Sequence, residues 1–136
     1  MNRLVQKHPA TILAILLFAV VFSSCSKSKD DDGPSSSYPQ EVTIEYRVTT
    51  TTSAINNSDV KFTNETGGLS IVDAAALPWS KKIKRTVNKN EVLGLSITTS
   101  VGGSVKTEIL VNDKVVKTET FTGTSFVYGI TQYQFN

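Results

Sequence analysis

Val42-Thr43-Ile44-Glu45-Tyr46-Arg47-Val48-Thr49 alternates apolar and polar side chains without a break. Successive side chains of a β-strand point to opposite faces of a sheet. The stretch is therefore predicted to be a half-buried strand, with Val42, Ile44, Tyr46 and Val48 turned inward and Thr43, Glu45, Arg47 and Thr49 turned outward.

Toward the C-terminus the same pattern repeats, with turn residues between the repeats. Ser58 to Asn64 places Val60 and Phe62 on one face, and Gly67-Gly68 then permits the positive φ of a tight turn. Leu69 to Val72 is a short strand, and Ala74-Ala75-Ala76 is the one place where a single helical turn is expected. Trp79 to Val87 sets Ile83 between Lys81 and Arg85 on one face, with Lys82 and Lys84 on the other. Glu91 to Thr99 alternates Leu93, Leu95 and Ile97, and Gly102-Gly103 leads into Ser104 to Val111. Asn112-Asp113 forms a two-residue turn into Lys114 to Phe121, because both residues tolerate left-handed geometry. Gly123 precedes a last strand, Ser125 to Phe135. Seven or eight short strands at this spacing predict an all-β fold, an antiparallel β-sandwich built from residues 41–136. Those 96 residues suffice for one domain and are too few for two.

Toward the N-terminus the composition changes. Residues 26–40 are Ser, Lys, Asp, Gly, Pro, Tyr and Gln, too polar to bury a core, and are expected to form a flexible linker. A coil of that length spans about 20 Å on average. The acidic run Asp30-Asp31-Asp32-Gly33 does not continue as a calcium loop, because Pro34 occupies the place of an oxygen ligand. Before the linker come Arg3 and Lys7, an uncharged apolar run of 13 residues from Ala10 to Phe22, and Ser23-Ser24-Cys25. This is the three-part pattern of a secretory signal peptide. A spanning helix needs about 20 apolar residues. Small residues directly before the cysteine resemble a lipobox, so residues 1–24 are expected to be removed and Cys25 to carry the lipid that holds the protein on a membrane. Lys29-Asp30-Asp31 reads either as a solvated spacer or as a sequence resembling the export signal of surface-exposed lipoproteins in Bacteroidota, which would place the chain on the outer membrane.

Cys25 is the only cysteine and His8 the only histidine. Processing leaves a domain with neither imidazole nor free thiol, indifferent to reducing agents and lacking the usual pairs of nucleophile and base. Zinc lacks its preferred ligands, and no cofactor is expected. Loss of Arg3 and Lys7 makes basic and acidic residues equal in number, which gives no electrostatic case for nucleic acid. The domain's carboxylates fall mainly at strand ends, turns and polar phases, so a non-enzymatic, monomeric domain is expected.

Three features are candidates for recognition. Trp79, after Pro78, is either a core aromatic or an exposed anchor for a partner or glycan. Lys81-Lys82-Ile83-Lys84-Arg85, through Lys82 and Lys84, either meets anionic lipid or polysaccharide or protects an edge strand from aggregation. Tyr128, Tyr133 and Phe135, with Gln132 and Gln134, occupy both phases of the last strand, so at least one aromatic is expected at the surface, and Tyr133 is the residue singled out.

Taken in order, the opening strand, Asp59-Val60-Lys61-Phe62-Thr63, Leu77-Pro78-Trp79-Ser80 and Ile109-Leu110-Val111-Asn112-Asp113-Lys114-Val115-Val116 resemble the soluble domain of the small mycobacterial membrane protein (MmpS) family. The resemblance covers most of residues 41–136. It implies an immunoglobulin-like β-sandwich and an envelope accessory role beside a resistance-nodulation-division (RND) transporter. Two departures stand out. That family commonly has an N-terminal spanning helix where this chain has a lipobox, and it often has a cysteine pair in its last strands, where Thr107 stands here. The functions to be weighed are a transporter accessory, a surface module binding glycan or protein, and a structural envelope protein.

Overall fold

The computed structural model describes residues 37–136. The expectations for the signal segment, for Cys25 and for Lys29-Asp30-Asp31 lie outside the described residues. Eight strands follow in order: β1 (Gln40–Thr50), β2 (Asn57–Thr63), β3 (Leu69–Ala76), β4 (Trp79–Val87), β5 (Val92–Thr98), β6 (Gly103–Val111), β7 (Lys114–Gly123) and β8 (Tyr128–Gln134). They form two four-stranded sheets, β4-β1-β6-β7 and β3-β2-β5-β8, with antiparallel pairing throughout. The expected antiparallel β-sandwich is the observed fold. Only β2–β3 and β6–β7 are hairpins within a sheet; every other connection passes from one sheet to the other.

The opening strand lies in the middle of its sheet, and its inward residues Val42, Ile44, Tyr46 and Val48 are fully or almost fully buried. They face Val60 and Phe62 of β2 and Leu93, Leu95 and Ile97 of β5, all in one core. Burying each such side chain contributes roughly 1.5–3 kcal/mol. Tyr46 also carries a polar tip into this core, where its hydroxyl donates to the carbonyl of Thr63 in the facing sheet at 2.8 Å. Burial pushes its ionisation well above the ordinary phenol value of 10.0. Unfolded chains lose this proton near pH 10 while folded ones keep it, so the stability it contributes is complete below that pH and is lost progressively above it. Tyr46→Phe should therefore cost about 1 kcal/mol at pH 7, through the unpaired Thr63 carbonyl, and should narrow its deficit against the parent above pH 10. Urea titrations at pH 7 and pH 11 measure both; parallel alkaline loss in the two proteins would refute the assignment.

Turn chemistry sets the registers. Gly67 adopts φ +85° in the β2–β3 turn, and Asn112 and Asp113 have φ 51° and 63°, the doubly left-handed pair of a type I′ hairpin. Asn112 ties that hairpin to β1, because its side-chain oxygen accepts from Thr43 N at 3.0 Å while its own N–H donates to Thr43 O at 2.8 Å. The helical turn expected at Ala74-Ala75-Ala76 does not form. These residues extend β3 to Ala76, after a register shift between Ser58 and Val60 of β2. Ala74 there takes φ 47°, and its N–H is held by the Asp59 carboxylate at 2.8 Å. The hydrogen-bonding demand of the sheet outweighs the helix propensity of three alanines, which is small per residue.

Candidate functional site

The strand alternation gives the two sheets contrasting outer faces. On β4-β1-β6-β7 the outward side chains form a lattice of opposite charges. Glu45 lies 2.7 Å from Arg47 and 3.5 Å from Lys82, Lys82 lies 2.7 Å from Asp113, and Lys106 lies 2.7 Å from Glu108. The hydrogen bond from Arg47 holds the Glu45 carboxyl below its usual range. Lys82 does the same for Asp113, whose hydrogen bond in turn raises Lys82. Such exposed pairs contribute little to stability, but they leave the face chemically self-satisfied.

This lattice divides the basic run. Lys82 is engaged by Asp113 and Glu45, whereas Lys84 is exposed, opposite Thr43, and makes no ion pair among the described residues. Lys81 is also exposed, but Arg85 is not part of the patch. Its side chain is 7% exposed, paired with the Glu91 carboxylate and donating to the carbonyl of Asn64 at 3.3 Å. Arg85 thus clamps the β2–β3 turn to the β4–β5 loop, and the surface cation cluster is smaller than the sequence suggests.

Trp79 opens β4 at the rim of the core. It is partly buried, with its ring 5.5 Å from that of Phe62. Tyr133 points inward and stands edge-on to Phe135 at 5.1 Å, and its partial burial raises the phenol above its ordinary range. The surface aromatic of the last strand is instead Tyr128, 56% exposed, flanked by Phe126 at 59% and Ile130 at 47%. These three alternate residues form an apolar ridge on β8 and the loop before it. Period-two alternation contains the signal, because Tyr128 shares a phase with Gln132 and Gln134, but aromatic content alone favours Tyr133 equally.

Near the ridge lies the end of the sandwich formed by residues 51–56, 77–78 and 99–102. Shallow recesses there, up to about 440 Å³, are lined by hydroxyl and amide groups such as Thr50, Asn56 and Ser100, by apolar Ile55, Leu77 and Pro78, and, in the largest, by Asp59. Val101 is exposed beside them. The β5–β6 and β7–β8 loops are cross-tied, with Thr99 N donating to Val127 O and Val127 N donating to Thr99 Oγ1, both at 2.8 Å. This end offers hydroxyl and amide groups, with the single carboxylate of Asp59, next to apolar side chains, a composition suited to binding. Among the described residues no set of three His, Cys, Asp or Glu converges to hold a metal ion. Among the described residues there is no helix long and apolar enough to cross a membrane.

The position where the resembled family often has a cysteine is occupied by Thr107, and the structure supplies its counterpart. Thr107 Oγ1 lies 2.5 Å from Thr131 Oγ1 of β8, with both residues fully buried, and Thr131 also donates to Glu119 at 3.1 Å. A hydrogen-bonded pair thus joins the two sheets in this place.

No curated protein matches the chain. A family model described as Mycobacterium membrane protein matches residues 11–131, which takes in every strand but the end of β8. With the sandwich and the motif order in place, that match shows that the chain belongs to the Mycobacterium membrane protein family.

Proposed function

We propose that this protein is a lipid-anchored envelope protein that acts by binding another envelope component and not by catalysis. The observation that carries the reading is the ridge of Phe126, Tyr128 and Ile130, an exposed aromatic and aliphatic strip with no charged side chain beyond Glu119. Interface centres are enriched in aromatics and depleted of charge, whereas an idle solvated face resembles the ion-pair lattice of the other sheet. Membership in a membrane-protein family supports a membrane-embedded partner, and we assign an RND-type transporter as its class. A linker spanning about 20 Å lets the domain reach it, and confinement to one membrane raises the effective concentration of both.

Two measurements test this. Cys25→Ser should abolish incorporation of an acyl probe and release the protein from membranes; continued labelling would refute lipidation at Cys25. A photo-crosslinking residue at Phe126 of the full chain should capture an envelope protein reproducibly in native membranes, with a transporter subunit as the expected product. Recovery of no partner, or turnover by the purified protein that is lost on changing one carboxylate, would refute the binding reading.

A further inference from the structure

The exposed apolar side chains are distributed unevenly over the two outer faces. Eight large ones stand exposed among the described residues, and six of them, Leu69, Ile71, Val92, Phe126, Tyr128 and Ile130, lie on or beside the outer face of β3-β2-β5-β8. The ridge on β8 accounts for three. Leu69 at 71% and Ile71 at 58% belong to the far edge, β3, three strand spacings or about 14 Å from β8. The register sets Ile71 beside Lys61, then Ser96, then Ile130, in one row across the sheet.

The two halves of this face differ in chemistry. The β8 half is aromatic and uncharged, like the centre of a protein interface, from which lysine is depleted. The β3–β2 half is aliphatic, with Lys61 at its middle, exposed and in no ion pair among the described residues. Asp59, two residues along β2, is held instead by Ala74 N. A lysine among aliphatic side chains suits a lipid surface, because its stem extends the apolar area while its ammonium reaches a phosphate.

The chain before the described residues keeps such a surface within reach. Between Cys25, the proposed anchor, and Ser37 stand 11 residues. They cannot span more than about 40 Å even if fully extended, so the bilayer is close to the domain at all times. The charged outer face of β4-β1-β6-β7 gains little there, since its ion pairs already satisfy one another.

We infer, resting on the lipid anchor proposed above, that the β3–β2 half of this face docks on the bilayer that holds the chain. Leu69 and Ile71 enter the boundary between headgroups and acyl chains, and Lys61 meets a lipid phosphate. Tethering makes this contact intramolecular, so a weak one suffices. The β8 ridge then stands at the other margin of the docked face, where a membrane-embedded partner meets it from the side.

The test places a benzoylphenylalanine residue at position 71 of the full chain in its own membranes. The control is position 84 on the opposite outer face, three residues from Val87, which pairs with Gln40 where the tether enters the sandwich. Irradiation should add the mass of one phospholipid to the chain from position 71 and not from position 84. Leu69→Glu should lower that yield about tenfold, the factor set by the lost burial of one leucine, whereas Leu69→Trp, which keeps the apolar area, should preserve it. Leu69 is exposed, so both variants keep the core intact. No lipid adduct, an equal yield from position 84, a protein adduct in its place, or a yield indifferent to Leu69→Glu would overturn the docking. An acyl probe on Cys25 separates the two readings: labelled protein without a lipid adduct overturns the docking alone, and unlabelled protein overturns the anchor and the docking with it.

Discussion

Glu91→Ala should lower the unfolding free energy by about 3 kcal/mol, the low end of what is lost when one member of a buried ion pair is removed. The guanidinium of Arg85 is nearly excluded from water, and Glu91 is its only carboxylate partner among the described residues. Arg85 Nε already lacks a hydrogen-bond acceptor there, so little is available to compensate. The substitution also removes the acceptor for Asn88 N at 3.0 Å, which shapes the β4–β5 loop. Truncation on the other side, Arg85→Ala, would leave the Asn64 carbonyl with Gly67 N alone as donor and loosen the β2–β3 turn. The control is the double change Arg85→Met with Glu91→Leu, which deletes both charges and keeps the volume. It should recover most of the loss, because desolvating two charges costs much of what their attraction returns. Denaturant unfolding of the three proteins decides the matter, and a single variant within 1 kcal/mol of the parent would mean that water reaches Arg85.

How much of this was legible beforehand depends on the range of the interaction. The strand alternation of β1 follows from local sterics and burial, and it placed Val42, Ile44, Tyr46 and Val48 correctly. The Asn112-Asp113 turn was legible for the same reason, since the positive φ is a property of the residues themselves. Arg85 was half legible: period two puts it with Ile83 on the inner face, but nothing in the spacing reveals that a turn brings Glu91 beneath it. Ala74 to Ala76 was misread, because the register shift that straightens it arises in β2, a strand away. The candidate site shows the same division. Tyr128 and Ile130 lie on the polar phase of β8, so their exposure follows from alternation, yet choosing that phase over Tyr133 requires knowing which side of the strand meets the core. The neutrality of β8 is visible in the sequence; that it is an edge is not.

Phe62→Ala should have the largest effect of any single truncation named above, about 3–5 kcal/mol, the usual range for an aromatic removed from a packed core. The ring is 4% exposed and lies between two others, 5.3 Å from Tyr46 and 5.5 Å from Trp79. Tilted aromatic neighbours at such separations contribute beyond their buried area, so two favourable contacts are lost with the cavity. The pairing also links distant parts of the chain, because Phe62 belongs to β2 whereas Tyr46 and Trp79 belong to β1 and β4 of the facing sheet. Trp79 is the only tryptophan, and its fluorescence therefore reports on this site alone. In the parent its emission should fall between the buried and solvated limits, as its place at the core rim requires. In Phe62→Ala it should move to longer wavelength while the protein is still folded, because the ring that covers the indole is gone. Trp79→Ala removes a side chain that is already partly in water and should cost less than Phe62→Ala. If the reverse order were measured, or if the emission of folded Phe62→Ala did not move, Trp79 would not be resting on Phe62, and its role as an exposed anchor for a partner or glycan would regain its place.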